Sequence, residues 1–103
     1  MCRSEEKTQL IRHNTGVEAT TDLKTAISFA PDFVVVAVDR GHVAEVAEEW
    51  VLRGFPVITE TPVGASFESL KRLWNLSIKK SAKIVCCEQY YRQPMLSKGL
   101  SLV

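Results

Sequence analysis

Three short apolar runs, separated by segments with helical periodicity, constrain the fold of this chain more than any other feature. The run at residues 33–38, FVVVAV, shows no alternation of apolar and polar side chains, which is typical of a strand covered on both faces in a parallel sheet. Further runs follow at 57–59, VIT, and at 83–88, KIVCCE. The segments 42–53 and 66–80 between them repeat apolar residues at helical spacing. This order predicts right-handed crossovers and an α/β fold, a three-layer parallel sheet with flanking helices.

The region before the first long run predicts two helices and a very short strand. Ser4 is a suitable cap for a polar helix that ends at the stop signal of residues 14–16, NTG. Residues 17–20, VEAT, could form the strand. Thr21 or Asp22 then caps a second helix, which Pro31 ends.

Spacing also predicts caps and core positions in the later helices. Ser66 precedes the last long helix and is a candidate N-cap, while Gly54 follows the preceding helix as a stop signal. Trp50 and Trp74 fall on the apolar stripes of these two helices. We therefore expect both tryptophans to anchor the core.

Composition and charge exclude several classes of protein. The chain has 103 residues and a net charge of +1, with no excess of basic residues for binding nucleic acid or an anionic membrane. The longest apolar run is too short to span a bilayer, and the polar start MCRSEEKTQ is unlike a signal peptide. The three cysteines form no C-x-x-C pair, which is typical of cysteines that serve as small apolar side chains in a reducing compartment. We expect a cytoplasmic protein.

Polar residues gather where the predicted strands end. They lie at residues 39–42, 60–62 and 88–92, each directly after an apolar run. In parallel sheets these carboxyl ends share one edge, and ligands bind beyond it. The sequence therefore predicts a binding site at this edge.

The order of the motifs resembles a known family. PDFVVVAV, a turn ending in His42, a helix, GFPVITETP, a second helix and KIVCCEQYYRQP together resemble the nucleotide-binding domain of the Gfo/Idh/MocA family of NAD(P)-dependent oxidoreductases. The resemblance covers residues 17–97. It implies a truncated Rossmann-like fold, one partial domain over residues 1–103, and NAD or NADP as the family's cofactor.

Within this resemblance, residues 60–62 match the family's Glu-Lys-Pro motif. Glu60 takes the place of the glutamate that lies near the nicotinamide ribose, and its carboxylate could accept hydrogen bonds from ribose hydroxyls. An exposed turn acid is the alternative. Thr61 replaces the family's lysine and has no amine for acid–base work, so no catalytic residue is assigned. Pro62 would fix the turn and help to shape the cofactor pocket.

The resemblance extends to the turn after the first long run. His42 matches a histidine that opens the following helix, where a structural role is the alternative. Asp39 and Arg40 match the turn that passes close to the cofactor, and solvated turn charges are the alternative.

Two further arginines match positions near the cofactor or the substrate. Arg92 corresponds to an arginine at a strand end, which could meet a phosphate, a substrate carboxylate or Glu60, and an ion pair with Glu60 or Glu88 is the alternative. Arg3 could favour the 2′-phosphate of NADP.

Two parts of the family's pattern have no counterpart in this sequence. No G-x-G-x-x-G occurs, so the first strand with its phosphate-binding loop is lacking, and so is the large substrate domain. We expect a partial domain that is inactive alone and binds little or no cofactor. The missing strand would neighbour residues 33–38, which predicts an open edge. We expect a second copy of the chain to cover it in a homo-oligomer, and the N-terminal segment folded differently is the alternative. A self-associating module without cofactor binding is the alternative function.

Overall fold

We describe the protein from a computed structural model, which defines residues 1–87 and Lys98. The chain divides into two compact units, Met1–Pro31 and Asp32–Val103. The expectation that residues 1–103 form a single domain stays a prediction. In the described ranges, no helix has the length and apolar character needed to cross a membrane.

Helix α1 of the first unit spans Glu5–Thr15. Ser4 caps it as predicted, because its Oγ accepts a hydrogen bond from the main-chain N–H of Lys7 at 3.3 Å. Gly16 ends the helix in the left-handed conformation with φ of 67°, and its N–H donates to the carbonyl of Arg12 at 3.0 Å. The predicted stop signal is therefore confirmed, since this position favours glycine.

Helix α2 spans Leu23–Ser28. Of the two candidate caps, the structure selects Asp22, whose Oδ2 accepts from the N–H of Thr25 at 2.7 Å. The helix ends earlier than Pro31 predicts, because Ala30 already adopts a positive φ of 48°.

The short strand predicted at residues 17–20 is wrong. These residues belong to no strand, and Thr20 accepts one main-chain hydrogen bond, from the N–H of Cys2 at 2.8 Å. One hydrogen bond does not form a strand ladder. Residues 17–20 therefore pair with no second strand in this unit, although the segment contains apolar and β-branched residues.

The second unit is a parallel α/β sheet, as predicted. Its strands are β1, Val34–Val36, β2, Val57–Glu60, and β3, Ile84–Cys87, in the order β1-β2-β3. Helix α3, Val43–Leu52, connects the first two strands, and α4, Phe67–Lys80, connects the last two. All strand pairs are parallel.

One face of this sheet carries the core. Helices α3 and α4 pack against each other and therefore cover the same face, and Arg72 Nε donates to Glu48 Oε1 across them at 2.6 Å. The side chains most completely buried between the sheet and these helices are Val36, Ala47, Val51, Val57, Thr59 and Leu73. Burial of this apolar set is the main stabilising term of the unit.

The other face of the sheet is open, so the expectation that residues 33–38 are covered on both faces is wrong. Val35 is 58% exposed and Val85 56% exposed, and Ile58 lies between them, half-buried. In the second unit both crossover helices lie on the opposite face, which leaves this apolar row facing solvent.

The two tryptophans behave differently. Trp50 is 5% exposed and meets the Phe55 ring edge-on at a centroid distance of 5.5 Å, as expected of a core anchor. Trp74 is 66% exposed, so its predicted core position is wrong. Its stripe of α4 lines an open cleft of about 270 Å³ together with Ile84 and Cys86 of β3, the last strand of the described sheet.

Candidate functional site

Two turns follow the carboxyl ends of β1 and β2. Residues 39–42 lie between β1 and α3, and residues 60–62 begin the connection from β2 to α4. Because the strands are parallel, both turns lie at the same edge of the sheet, and we call them together the rim. All candidate site residues in the described part of the second unit lie in the rim.

The first turn of the rim is organised by Asp39. Its Oδ2 accepts the main-chain N–H of Gly41 at 3.2 Å, and its carbonyl accepts the main-chain N–H of His42 at 2.8 Å. The same Oδ2 lies 3.4 Å from Nδ1 of His42, and both side chains are more than half exposed. The aspartate therefore fixes the turn and lies beside the imidazole, whose Nε2 has no hydrogen-bond partner among residues 1–87.

His42 holds the N-cap position of α3 by its main chain alone. Its side chain makes no capping hydrogen bond, so the imidazole does not cap the helix. Arg40 belongs to the same short 3-10 turn, Arg40–His42, and is exposed.

Glu60 ends β2, the central strand. It is level with Cys87 of β3 and its side chain is exposed. In residues 1–87, no hydrogen bond or ion pair engages its carboxylate, whose acceptor oxygens are therefore available to a ligand. Thr61 and Pro62 follow directly and are also exposed.

The connection from Glu60 to α4 is held by a glycine that sequence reasoning missed. A Cβ at Gly64 would lie 2.7 Å from Ser69 Oγ and 3.1 Å from the main-chain nitrogen of Leu70. A side chain at this position would crowd the first turn of α4, so the position favours glycine. The capping pair Ser66 and Ser69, which bonds reciprocally, fixes the same turn.

Thr59, next to Glu60, was also missed by sequence reasoning. Its side chain is fully buried, and its Oγ1 has no hydrogen-bond partner in the described structure. The sequence signal for an unpaired hydroxyl was the threonine in the apolar run VIT. On the buried face of a central strand, a hydroxyl has few donors or acceptors nearby.

The amides of the first rim turn and of the start of α4 are already engaged. The N–H of Gly41 donates to Asp39, and the N–H of Ser69, in the first turn of α4, donates to Ser66 Oγ at 3.2 Å. Neither place therefore offers the free, glycine-lined amides that hold a pyrophosphate at a helix start. In the described ranges the rim suits hydroxyl donors better than phosphate.

The two remaining candidate residues lie outside the described part of the second unit. Arg3 belongs to the first unit, where it is exposed and directly precedes the cap of α1. Arg92 lies outside the described residues, as do Glu88 and the ion pairs predicted for them. Their roles stay predictions.

The fold and the rim define a class of protein, the parallel α/β proteins that bind ligands at the carboxyl ends of their strands. The family model described as oxidoreductase family, NAD-binding Rossmann fold, matches residues 1–88. The chain belongs to this Gfo/Idh/MocA family, which confirms the resemblance found in the sequence.

Solved structures share the fold at low sequence identity. An NADPH-dependent oxidoreductase from Desulfitobacterium hafniense is 18% identical, with a TM-score of 0.88 over 99% of this chain and 30% of its own. The WlbA dehydrogenase from Bordetella pertussis, in complex with NADH and UDP-GlcNAcA, is 21% identical, with a TM-score of 0.83 over 98% of this chain and 33% of its own. An oxidoreductase from Agrobacterium radiobacter, in complex with NAD⁺, L-tartaric acid and magnesium, is 17% identical, with a TM-score of 0.83 over 98% and 30%.

The chain spans about a third of the length of these structures. At such identities the likeness shows the fold. A comparison with curated protein sequences gave no match.

Proposed function

We propose that this chain forms part of the nucleotide-binding domain of an NAD(P)-dependent oxidoreductase, and that its rim receives the nicotinamide ribose. The single observation that carries the proposal is the Glu60 carboxylate. It is exposed, stands at the end of the central strand, and has no partner in residues 1–87. A carboxylate is an acceptor-only group and therefore suits the two hydroxyls of a ribose.

The rim fits one end of the cofactor only. Glu60 supplies acceptors for ribose hydroxyls, and the Asp39–His42 pair places an imidazole at the same edge of the sheet. The engaged amides of Gly41 and Ser69 do not suit the pyrophosphate. We therefore expect the nicotinamide half of the cofactor to bind here, with phosphate contacts made by another part of the complete enzyme.

With its ribose held by Glu60, NAD(P) would supply the chemistry of hydride transfer between an alcohol carbon and a carbonyl carbon. The hydroxyl proton of the alcohol must leave to a base at the same time, and Thr61 cannot be that base, because its hydroxyl does not titrate near neutral pH. His42, whose Nδ1 lies 3.4 Å from Asp39 Oδ2, is the rim side chain of the residue type that most often serves as a general base.

The proposed substrate class is drawn from two relatives. WlbA was crystallised with a sugar nucleotide, and the Agrobacterium oxidoreductase with a hydroxy acid. We propose a sugar, a polyol or a related carbonyl compound for the enzyme to which this domain belongs. Three free cysteines accord with a reducing compartment, and a cytosolic location is part of this proposal.

The isolated chain is expected to bind whole NAD(P) weakly and to turn over no substrate. Its rim lacks a pyrophosphate cradle among the described residues, and the chain spans only about a third of the relatives' length. A second candidate function, a self-associating α/β module without cofactor binding, is favoured by the apolar row that β1 exposes around Val35.

Nicotinamide mononucleotide is the probe that separates these two functions, because it carries the ribose and nicotinamide without the adenosine half. We expect weak but saturable binding in a ligand-observed NMR titration. Glu60→Gln should raise the dissociation constant at least about tenfold, since a hydrogen bond to a charged acceptor is worth about 1.5–3 kcal/mol.

The matched control is Glu18→Gln, which removes an exposed carboxylate from the first unit. It should leave the dissociation constant unchanged. Equal weakening by both variants would reveal a general charge effect, and absence of binding by the unaltered chain would favour the second candidate function.

A further inference from the structure

A further cleft lies at the edge of the sheet opposite the rim. Residues 53–56 lead from α3 into β2, residues 81–83 lead from α4 into β3, and both loops contribute to its walls. Because the strands are parallel, their starts share one edge of the sheet and their ends share the other. The cleft has a volume of about 420 Å³, which is within the range of small-molecule sites. No described residue of the rim lines it.

The charged residues that line this cleft are all cations, Arg53, Lys80 and Lys83, and we call it the basic cleft. Both lysine side chains are exposed and make no ion pair or hydrogen bond in residues 1–87. Arg53 differs, because its Nη2 lies 3.2 Å from Glu49 Oε1 and its Nη1 donates to the Glu49 carbonyl at 2.6 Å. Among the described residues, the two lysine charges therefore have no counter-charge.

The ends of two helices reduce this positive charge but do not cancel it. Helices α3 and α4 both end at the basic cleft, and a helix C-terminus carries about half a negative charge. Two such ends offset about one of the two lysine charges, so about one positive charge remains. This remainder fits a carboxylate, which carries one negative charge, better than a phosphate dianion.

The rest of the basic cleft supplies apolar surface and a hydroxyl. Phe55 and Pro56, both half-buried, line it together with the fully buried Val51. Ser81 also lines it and adopts the left-handed conformation with φ of 50°, which favours glycine. Its hydroxyl makes no hydrogen bond in residues 1–87 and is free to donate one to a carboxylate.

We propose that the basic cleft binds a small organic acid that has one carboxylate and an apolar body. The body packs on Phe55 and Pro56, and the carboxylate meets the ammonium groups of Lys80 and Lys83. A lysine ammonium has three rotatable donors, so two of them can meet one carboxylate from different directions. The inference does not depend on cofactor binding, because the basic cleft and the rim lie at opposite edges of the sheet.

Nitrogen-15 NMR titrations with three probes test the site. Benzoate has the carboxylate and the apolar body, benzamide keeps the body without the charge, and acetate keeps the charge with almost no body. We expect benzoate to shift the amides of residues 51–55 and 80–83, to leave those of residues 39–42 in place, and to bind at least about threefold more tightly than either other probe. Equal binding by benzamide or acetate, or benzoate shifts that spare the basic cleft, would overturn the proposal.

Two double variants separate the basic cleft from the charge of the whole chain. Lys80→Gln combined with Lys83→Gln should raise the dissociation constant for benzoate about tenfold, because two exposed ion pairs are lost. Lys71→Gln combined with Lys79→Gln is the matched control, since it makes the same change in net charge on α4 outside the basic cleft. The control should bind benzoate like the unaltered chain. Equal weakening by both double variants would show a general charge effect and would also overturn the proposal.

Discussion

Thr59 carries a hydroxyl that the interior of the second unit leaves without a hydrogen-bond partner in the described residues. A buried unsatisfied polar group costs about 1–3 kcal/mol, and valine has nearly the same shape. We therefore expect Thr59→Val to raise the free energy of unfolding by about 1 kcal/mol, measured by urea denaturation.

The control is the reverse exchange on the same strand and face. Val57 is 1% exposed, so Val57→Thr should bury a second hydroxyl and lower the free energy of unfolding. Destabilisation by Thr59→Val would contradict the account and show that the hydroxyl has a partner.

Gly64 sets how closely the rim can approach α4. Gly64→Ala would bring a Cβ within 2.7 Å of Ser69 Oγ, which is committed to the capping pair and cannot move without breaking it. We expect a loss of about 1–3 kcal/mol in the free energy of unfolding, measured by thermal denaturation.

Gly41→Ala is the companion variant in the other rim turn. Its Cβ would lie 3.4 Å from Asp39 Oδ2, an ordinary contact, so the loss should be clearly smaller. Equal losses of unfolding free energy in the two variants would contradict the role assigned to the close contact at Gly64.

The stability of helix α2 depends on pH through its N-cap residue, Asp22. The side-chain hydrogen bond from Thr25, together with main-chain N–H groups, lowers the pKa of Asp22 below its ordinary value of 3.8. A carboxyl whose pKa is lowered by folding contributes stability above its unfolded pKa and loses it as the pH falls through the folded pKa. We expect α2 to lose its cap in acid, below pH 3.8.

Carbon-13 NMR of the Asp22 carboxyl measures this pKa directly, and amide exchange of Leu23–Ser28 follows the helix. Asp22→Asn keeps a cap but removes the titration, so its α2 should not weaken on acidification. Asp22→Ala should weaken α2 at neutral pH already. A carboxyl pKa at or above 3.8 would contradict the account.

At the scale of elements, the sequence predicted helix starts better than strand lengths. Ser4, Asp22 and Ser66 all cap helices as expected, because a cap depends on a side chain and an amide three residues apart. The strand expected at 33–38 is only Val34–Val36. A strand's length depends on distant partners, which local composition does not contain.

For the whole molecule, the alternation of strand and helix predicted the parallel sheet and the family. Burial was predicted less well. Trp50 and Trp74 have the same helical spacing, yet one is 5% and the other 66% exposed, because α4 lies at the end of the described sheet. Periodicity identifies an apolar stripe but does not supply the surface that covers it.

For the candidate site, the sequence predicted which residues lie at the strand ends but not how the turns around them are held. Strand ends follow from the apolar runs, so the amino-acid pattern alone places Asp39 and Glu60 at one edge of the sheet. The engaged amide of Gly41 and the close packing of Gly64 do not follow from that pattern, because both depend on how each turn folds back on its neighbours.

The central claim is that the rim receives the nicotinamide ribose, and nitrogen-15 NMR with residue-resolved amide shifts tests it most directly. Nicotinamide mononucleotide should shift the amides of residues 39–42 and of Glu60 and Thr61, and adenosine monophosphate should leave them in place. Shifts confined to other parts of the chain, or equal shifts with both nucleotides, would contradict the account.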